Sequence, residues 1–246
     1  MIIDTHAHIT KEFFGDKIEE IVKESKENNI SKIIVPSISL NMEDNEYKDY
    51  LYFAVGIHPT EGNKNITREE IENKVDKDTI AIGECGLDLL KGKDKEEQIR
   101  LFKIQIEIAK EKKLPIIIHS RESTKEVFEI LSYYYGPKDK YSGVIHSANG
   151  DFNILEKIIN LGFFLSFNGI STFKNAGDIR DLISKTDIQY ILVETDSPFL
   201  SPEPLRGTFP NKPSNIKYVI DLISKIKNNK DTENILYDNS TRLFRI

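Results

Sequence analysis

The chain has 246 residues, a hydrophobic fraction of 39%, a charged fraction of 30% and a formal net charge of −6. These values are typical of a globular protein and exclude a largely disordered or low-complexity chain. The negative charge argues mildly against non-specific binding to nucleic acid, because affinity for the phosphate backbone comes largely from Lys and Arg. It does not exclude a nucleic-acid substrate, since a cation in the site and a locally basic rim could supply the attraction.

Two further exclusions come from hydropathy and from cysteine usage. The sequence has no apolar run of about 18 residues that would span a membrane, and its start lacks the basic and then hydrophobic order of a signal peptide. A cytoplasmic location is therefore expected. Cys85 is the only cysteine, which excludes disulfides within the chain and a thiolate-rich zinc site. Any bound metal must be held by histidine and carboxylate.

Short apolar runs, bounded by turn residues or charge, predict eight strands. Most are apolar throughout rather than at alternate positions, which is typical of a parallel sheet covered on both faces. The predicted strands are Ile2 to Thr5, Lys32 to Pro36, Tyr52 to Ile57, Thr79 to Gly83, Pro115 to Ile118, Ser142 to Ile145, Gly162 to Phe167 and Tyr190 to Thr195.

Helical patterns lie between these strands. The clearest covers residues 94–113, where apolar residues recur at i, i+3 and i+4 and charged residues cover the opposite side. Thr67 starts a capping box, and Asp151 caps a helix that stops near Gly162. Further helices are predicted at residues 16–27, 122–134, 176–186, 214–228 and 231–244. The strict alternation of strand and helix predicts an α/β protein with one domain over residues 1–246, folded as a (β/α)8 TIM barrel.

Residues that bind metals recur where the predicted strands end. In a (β/α)8 barrel, the reactive residues lie at the C-terminal ends of the strands and in the following loops. Mixed nitrogen and oxygen ligands suit a catalytic divalent cation with open positions better than a closed structural site. The sequence therefore predicts a metal centre made from all five histidines and two carboxylates: His6, His8, His58, Glu84, His119, His146 and Asp196.

The local sequence suggests a role for several of these residues. His6 and His8 are two positions apart on a strand, so both rings face the same side and can reach one ion. Glu84 lies between two glycines and is a candidate to bridge two cations, because a carboxylate can give one oxygen to each. Asp88 is expected either to orient a ligand or to cap a helix.

The last strand contributes Asp196, which is expected to be a ligand that also accepts a proton from the attacking water. Glu194 lies two residues earlier on the same face and is expected to support it. Arg121 and Arg206 are candidates for clamping a phosphate, with a solvated surface charge as the alternative for each. The proline-rich stretch 197–213 holds five of the nine prolines and is expected to shape the substrate pocket.

Several segments, in this order, carry a resemblance to a known family. They are Asp4 to His8, Gly56 to Pro59, Gly83 to Asp88, Leu114 to Arg121, His146 to Ser147, Glu194 to Leu200 and Asn239 to Phe244. Together they resemble the TatD family of metal-dependent deoxyribonucleases over essentially the whole chain. The resemblance implies a TIM barrel with a centre of one or two cations that hydrolyses phosphodiester bonds in DNA, often from the 3′ end.

The resemblance also implies roles for the residues named above. His6, His8 and Asp196 would hold one cation, His119 and His146 would hold the other, and Glu84 would bridge them. Glu84, Asp196 and His58 would be catalytic, and His58, Arg121 and Arg206 would contact the substrate. The cofactor would be two divalent ions of Mg, Mn or Zn. The partner would be DNA, as single strands or 3′ ends, with no membrane and no obligate protein partner.

The sequence departs from the family pattern at Ser147 to Gly150, at Asn211 to Pro213 and at Leu89 with Leu90, which affects the expected substrate more than the expected chemistry. An alternative is an amidohydrolase or lactonase-like enzyme acting on C–N or ester bonds, including an esterase that removes amino acids from tRNA. Many such enzymes bridge their metals with a carboxylated lysine, but the runs Ile80 to Glu84 and Ile116 to His119 contain no lysine. A non-catalytic metal-binding protein is disfavoured, because open metal positions beside a proton acceptor serve reactivity.

Overall fold

The computed structural model describes residues 1–41 and 46–246. Within these ranges it has eight strands, which form one sheet in chain order. Their bounds are β1 Ile2–Asp4, β2 Ile30–Pro36, β3 Leu51–Val55, β4 Ala81–Asp88, β5 Ile116–Arg121, β6 Gly143–Ile145, β7 Phe163–Phe167 and β8 Ile191–Val193.

Helices separate most of the strands. Their bounds are α1 Lys11–Phe14, α2 Ile18–Glu27, α3 Arg68–Glu72, α4 Lys95–Lys112, α5 Thr124–Tyr134, α6 Phe152–Ile159, α7 Gly177–Lys185, α8 Ile216–Lys227 and α9 Thr232–Phe244. The capping box at Thr67 is present, with Glu70 as the reciprocal partner. Asp94 and Asp151 also accept hydrogen bonds from the first turns of their helices, so these helix starts are fixed by local side chains.

The described residues group into two compact units. The first comprises residues 1–35, 46–52 and 166–246, and the second comprises residues 36–41 and 53–165. In the first unit, the Thr5 N–H donates to the Val193 carbonyl at 3.2 Å, and Ala7 forms a parallel bridge with Ser197. The first and last strands therefore meet, which confirms the predicted (β/α)8 barrel. The prediction of a single domain stays a prediction.

The apolar strands are largely buried, as the sequence pattern indicates, and every residue of β4 and β7 is buried. Among the described residues, no helix is both long and apolar enough to cross a bilayer. The cytoplasmic location stays a prediction.

Some predicted boundaries are wrong, and β4 is the one that matters for function. Its predicted end at Gly83 follows the end of the apolar run, but the strand continues to Asp88 in register with β5, for example with Gly86 opposite His119. Asp88 therefore lies within the ladder. Glu84 lies in the register shift between Ile82 and Cys85, where its N–H donates to the Ser37 carbonyl at 2.9 Å. The sequence also misses α1, and the helix predicted from residue 16 begins as α2 at Ile18 after a 3-10 turn.

Glycine at position 56 allows two backbone segments of the second unit to approach closely. A Cβ at Gly56 would lie 2.4 Å from the Gly83 carbonyl carbon, far inside van der Waals contact. Gly83 directly precedes Glu84. The contact therefore ties the sequence at the end of β3 to the position of a predicted metal ligand.

We expect Gly56→Ala to lower the free energy of unfolding by about 1 to 3 kcal/mol, because the added methyl group must displace backbone rather than a flexible side chain. Gly177→Ala is the matched control. Nothing lies within 4 Å of a Cβ at Gly177, and alanine favours the first turn of α7, so this variant should be neutral or up to about 1 kcal/mol more stable. Urea denaturation measures both, and equal stability of the two variants would contradict the close approach.

Candidate metal-binding sites

In the second unit, histidine side chains surround the buried carboxylate of Glu84. The Oε1 atom lies 3.0 Å from Nδ1 of His119, 3.5 Å from Nε2 of His146 and 3.6 Å from Nε2 of His58. Two ligand atoms bound at about 2.1 Å to one tetrahedral ion lie about 3.4 Å apart. His58, Glu84 and His119 also offer ligand atoms within 4.8 Å of one another. The spacing and the chemistry of the donors fit a divalent cation.

Asp88 orients His119 from the other side of the ring. Its Oδ2 lies 3.2 Å from Nε2 of His119, and its Oδ1 accepts the N–H groups of Leu90 and Lys91. Burial alone would raise the pKa of Asp88, but these N–H groups and His119 hold it below its usual range. An ionised Asp88 therefore fixes the ring orientation of His119, as carboxylates commonly do beside metal-binding histidines.

His58 differs from its neighbours in its protonation. Burial lowers the pKa of His58 to about 4, although the nearby Glu84 opposes the shift, so the ring is neutral at neutral pH. Nδ1 lies 3.2 Å from the Thr60 N and 2.7 Å from the Thr60 hydroxyl oxygen. Nε2 faces Oε1 of Glu84 at 3.6 Å. Nε2 of the neutral ring therefore carries a proton toward Glu84 in one tautomer and offers a lone pair to a cation in the other.

In the first unit, another cluster combines two imidazoles with a carboxylate. The Nε2 atoms of His6 and His8 lie 3.3 Å apart, and Oδ1 of Asp196 lies 3.7 Å and 3.5 Å from them. These distances again match ligand atoms around one ion. The nitrogen and oxygen donors of the cluster suit a divalent cation with open positions.

Backbone hydrogen bonds hold this cluster together. The Asp196 N–H donates to the His6 carbonyl at 2.8 Å, and the His8 N–H donates to the Ser197 carbonyl at 2.7 Å. Asp196 has a φ of 55°, a left-handed conformation that aspartate tolerates better than most residues. The segments after β1 and β8 therefore position one another directly.

The buried carboxylate of Asp4, at the end of β1, stabilises the same junction between the segments after β1 and β8. Asp4 accepts hydrogen bonds from the Thr195 N–H at 2.9 Å and the Thr195 hydroxyl at 2.5 Å. Burial raises the pKa of Asp4 to about 7, against the effect of these hydrogen bonds. Glu194, which was expected to support Asp196, is buried and accepts a hydrogen bond from Asn168 Nδ2 at 3.1 Å. Asp4 thus links β1 to the residue that precedes Asp196.

Two glutamines of α4 position site residues, and sequence reasoning missed both. Gln105 accepts the Ile57 N–H at 2.8 Å and donates to the Ile57 carbonyl at 3.3 Å. Gln98 makes the same pair of contacts with Asp88, at 2.8 Å and 3.3 Å. The available signal was two amide side chains seven residues apart on the apolar face of an amphipathic helix. Gln98 thus holds the backbone of Asp88, which orients His119, and Gln105 holds the backbone of Ile57, which directly precedes His58.

The predicted substrate-binding arginines have different surroundings. Arg121 is the last residue of β5 and is half-buried. Arg206 is exposed in the 197–213 stretch, with its guanidinium carbon 4.1 Å from the centre of the Phe173 ring. The structure therefore brings the predicted ligands together in two clusters, one in each unit, and their catalytic roles, including bridging by Glu84, stay predictions.

Known proteins are similar to this chain in fold and in sequence over its full length. A family model described as TatD related DNase matches residues 3–245. The uncharacterized metal-dependent hydrolase YabD of Bacillus subtilis is 36% identical, with 100% of both chains covered. The crystal structure of the TatD homologue YjjV from Escherichia coli is 28% identical, has a TM-score of 0.88 and covers 100% of this chain and 98% of its own.

The fold, the donor clusters and these relatives define a metal-dependent hydrolase. More specifically, the chain belongs to the TatD family, as its sequence motifs indicate. The number and identity of the bound metals and the bond that is hydrolysed are separate questions.

We expect Gln105→Leu to lower the free energy of unfolding by about 1 to 3 kcal/mol, because the Ile57 N–H loses its buried acceptor. The control Lys103→Ala changes an exposed residue of the same helix and should have little effect. Hydrogen exchange at Ile57 gives a local readout, since loss of the clamp should speed exchange there more than in α5. Unchanged exchange at Ile57 would count against the clamp.

Proposed function

We propose that this protein is a deoxyribonuclease that hydrolyses phosphodiester bonds of single-stranded DNA from the 3′ end, using two divalent cations. His6, His8 and Asp196 would hold one cation, and Glu84, His119 and His146 would hold the other. The observation that carries the proposal is the pair of donor clusters, each with ligand spacing, in a chain of the TatD family. When bound, Mg, Mn or Zn would polarise the phosphoryl group and lower the pKa of the attacking water.

The side chains supply the remaining steps. Asp196 accepts the proton of the attacking water, because its carboxylate combines a place among ligands with partial access to solvent. His58, in the tautomer with its proton on Nε2, donates a hydrogen bond to the leaving oxygen, and its Nδ1 accepts the Thr60 N–H. Arg121 and Arg206 bind substrate phosphates through their guanidinium groups. Asp88 keeps the His119 ring in orientation throughout.

Substitution of the carboxylates should separate chemistry from folding. We expect Asp196→Ala and Glu84→Ala to lower the rate of hydrolysis of a 3′-labelled single strand at least about a hundredfold. Circular dichroism should show an intact fold, because the apolar core does not depend on either side chain. Glu129→Ala, an exposed carboxylate of α5, is the control and should keep full activity.

The substrate panel should include double-stranded DNA, a lactone, an N-acyl amide and an aminoacyl-tRNA. Cleavage of one of these with no cleavage of single-stranded DNA would make the phosphodiesterase proposal wrong. Near-normal turnover by Asp196→Ala would make its assigned role wrong.

Metal removal tests the two-cation assignment independently of substrate. We expect the protein freed of metal by a chelator to bind two Mn or Zn ions per chain in a calorimetric titration, and Asp196→Ala and Glu84→Ala each to bind one. Saturation at a hundred times the dissociation constant should stabilise the fold by about 2.7 kcal/mol per site. A wild-type stoichiometry of one, or a variant that keeps both ions, would contradict this assignment.

A further inference from the structure

Aromatic side chains gather beside His8 in the first unit. The Phe13 and Phe199 rings meet edge to face, with centroids 5.4 Å apart and planes at 80°, and the Phe209 centroid lies 6.4 Å from that of Phe199. The His8 ring lies 6.2 Å from Phe199. We call Phe13, Phe199 and Phe209 the aromatic platform. It directly adjoins a proposed metal ligand.

Two of these rings face solvent to an unusual degree. Phe199 is 41% exposed and Phe209 is 68% exposed. Neither ring is needed to complete the buried core, and exposed aromatic groups that cluster commonly mark a binding site. The platform therefore has open ring surface for a ligand.

Hydrogen bonds hold the backbone that carries Phe199 and Phe209. The Asn211 N–H donates to the Pro198 carbonyl at 2.8 Å, and its Nδ2 donates to the Thr195 carbonyl at 3.1 Å. The Ser201 hydroxyl donates to the Thr208 carbonyl at 2.7 Å. Asn211 is fully buried. Because these bonds close the 197–213 stretch on itself, little conformational entropy is lost when a ligand binds the rings.

The charge nearby suits a phosphate. Arg206 lies three residues before Phe209 in the same stretch, and its guanidinium group stacks on Phe173. An arginine stacked on a ring keeps hydrogen-bond donors at the edge of its plane for a phosphate oxygen. Aromatic rings beside a phosphate-binding cation are the usual elements of a site for single-stranded nucleic acid.

The exposed area is too small for a stable protein partner. Phe199 and Phe209 are 41% and 68% exposed and together offer about 200 Å² of accessible surface, whereas each side of a stable protein interface buries about 800 Å². A nucleobase needs only one ring face. The size of the platform therefore favours a base over a second protein chain.

We propose that Phe199 and Phe209, braced by Phe13, form a stacking subsite for an unpaired nucleobase of single-stranded DNA, with Arg206 on a neighbouring phosphate. This inference rests on the proposed function and extends it. A base held in a duplex cannot expose a face to the rings, so the subsite selects single strands or frayed ends.

The test measures, by fluorescence anisotropy, the binding of a labelled oligothymidylate to the protein. A chelator is present so that no hydrolysis occurs. We expect Phe209→Ala and Phe209→Leu to weaken binding by about 5- to 150-fold, the range for loss of one stacked base. Phe209→Trp should retain or strengthen it. Leucine keeps apolar volume without a ring, so the difference between Leu and Trp isolates stacking. Tyr190→Ala is the control, because Tyr190 is a 40% exposed aromatic residue that precedes β8.

An oligonucleotide with abasic residues separates the two contacts. We expect it to bind wild type and Phe209→Leu equally, while Arg206→Ala weakens the binding of both oligonucleotides by a similar factor. Urea denaturation checks that each variant is folded. Three results would overturn the proposal. They are no binding of oligothymidylate to the wild type, equal binding of the two oligonucleotides to the wild type, and oligothymidylate binding that Phe209→Leu leaves unchanged.

Failure of the subsite proposal can be distinguished from failure of the proposed function. Hydrolysis of single strands, with oligonucleotide binding that does not depend on Phe209, would support the nuclease proposal and contradict the subsite. Binding that depends on Phe209, without hydrolysis in Mg, Mn or Zn, would support the subsite and contradict the nuclease proposal. Light scattering tests the alternative that the rings form a protein interface. Self-association of the wild type that Phe209→Ala abolishes, with unchanged oligonucleotide binding, would also overturn the inference.

Discussion

The burial of the Glu84 carboxylate is the constraint on which the second unit's site depends. A carboxylate that is 3% exposed loses most of its hydration, a cost that proteins offset with hydrogen bonds, opposite charge or a metal. Glu84 lies within β4, and its N–H donates to the Ser37 carbonyl at 2.9 Å. The backbone therefore holds the side chain among imidazoles, which carry no permanent charge. A bound divalent cation would supply the positive charge that offsets the lost hydration.

Much of the fold and of the ligand set could be predicted because their signals are local. Apolar runs mark strands that are buried on both faces, and the histidines follow those runs directly, so the parallel strands of each unit bring its own histidines together. The extent of β4 was missed, because Cys85 to Asp88 pair with β5 through backbone atoms that leave no apolar pattern. Gln98 and Gln105 were missed for a related reason, since their partners are backbone groups distant in sequence. Side-chain type predicted the ligands, whereas the residues that orient them required the structure.

The two clusters are held in position by different means. The His6 and Asp196 cluster depends on hydrogen bonds between the segments after β1 and β8, with Asp4 as a buried link. The Glu84 cluster depends on strand pairing and on side chains that reach the strand from α4. In both, backbone polar groups are paired before any ligand arrives. The donor atoms are therefore preorganised, and less binding free energy is lost in ordering them.

A net charge of −6 disfavours a large contribution of counterion release to DNA affinity, because that contribution requires many Lys and Arg contacts with phosphates. Cations in the site and contacts that do not depend on net charge are then the expected sources of affinity. Stacking on exposed rings meets this requirement, since it acts on the face of any base and does not require a positive charge on the protein. Phe199 also adjoins His8, so a strand held by its base is retained near a proposed metal ligand. The acidic composition argues against DNA binding, whereas the exposed aromatic rings argue for it. The two features are consistent when the affinity comes from stacking and from bound cations.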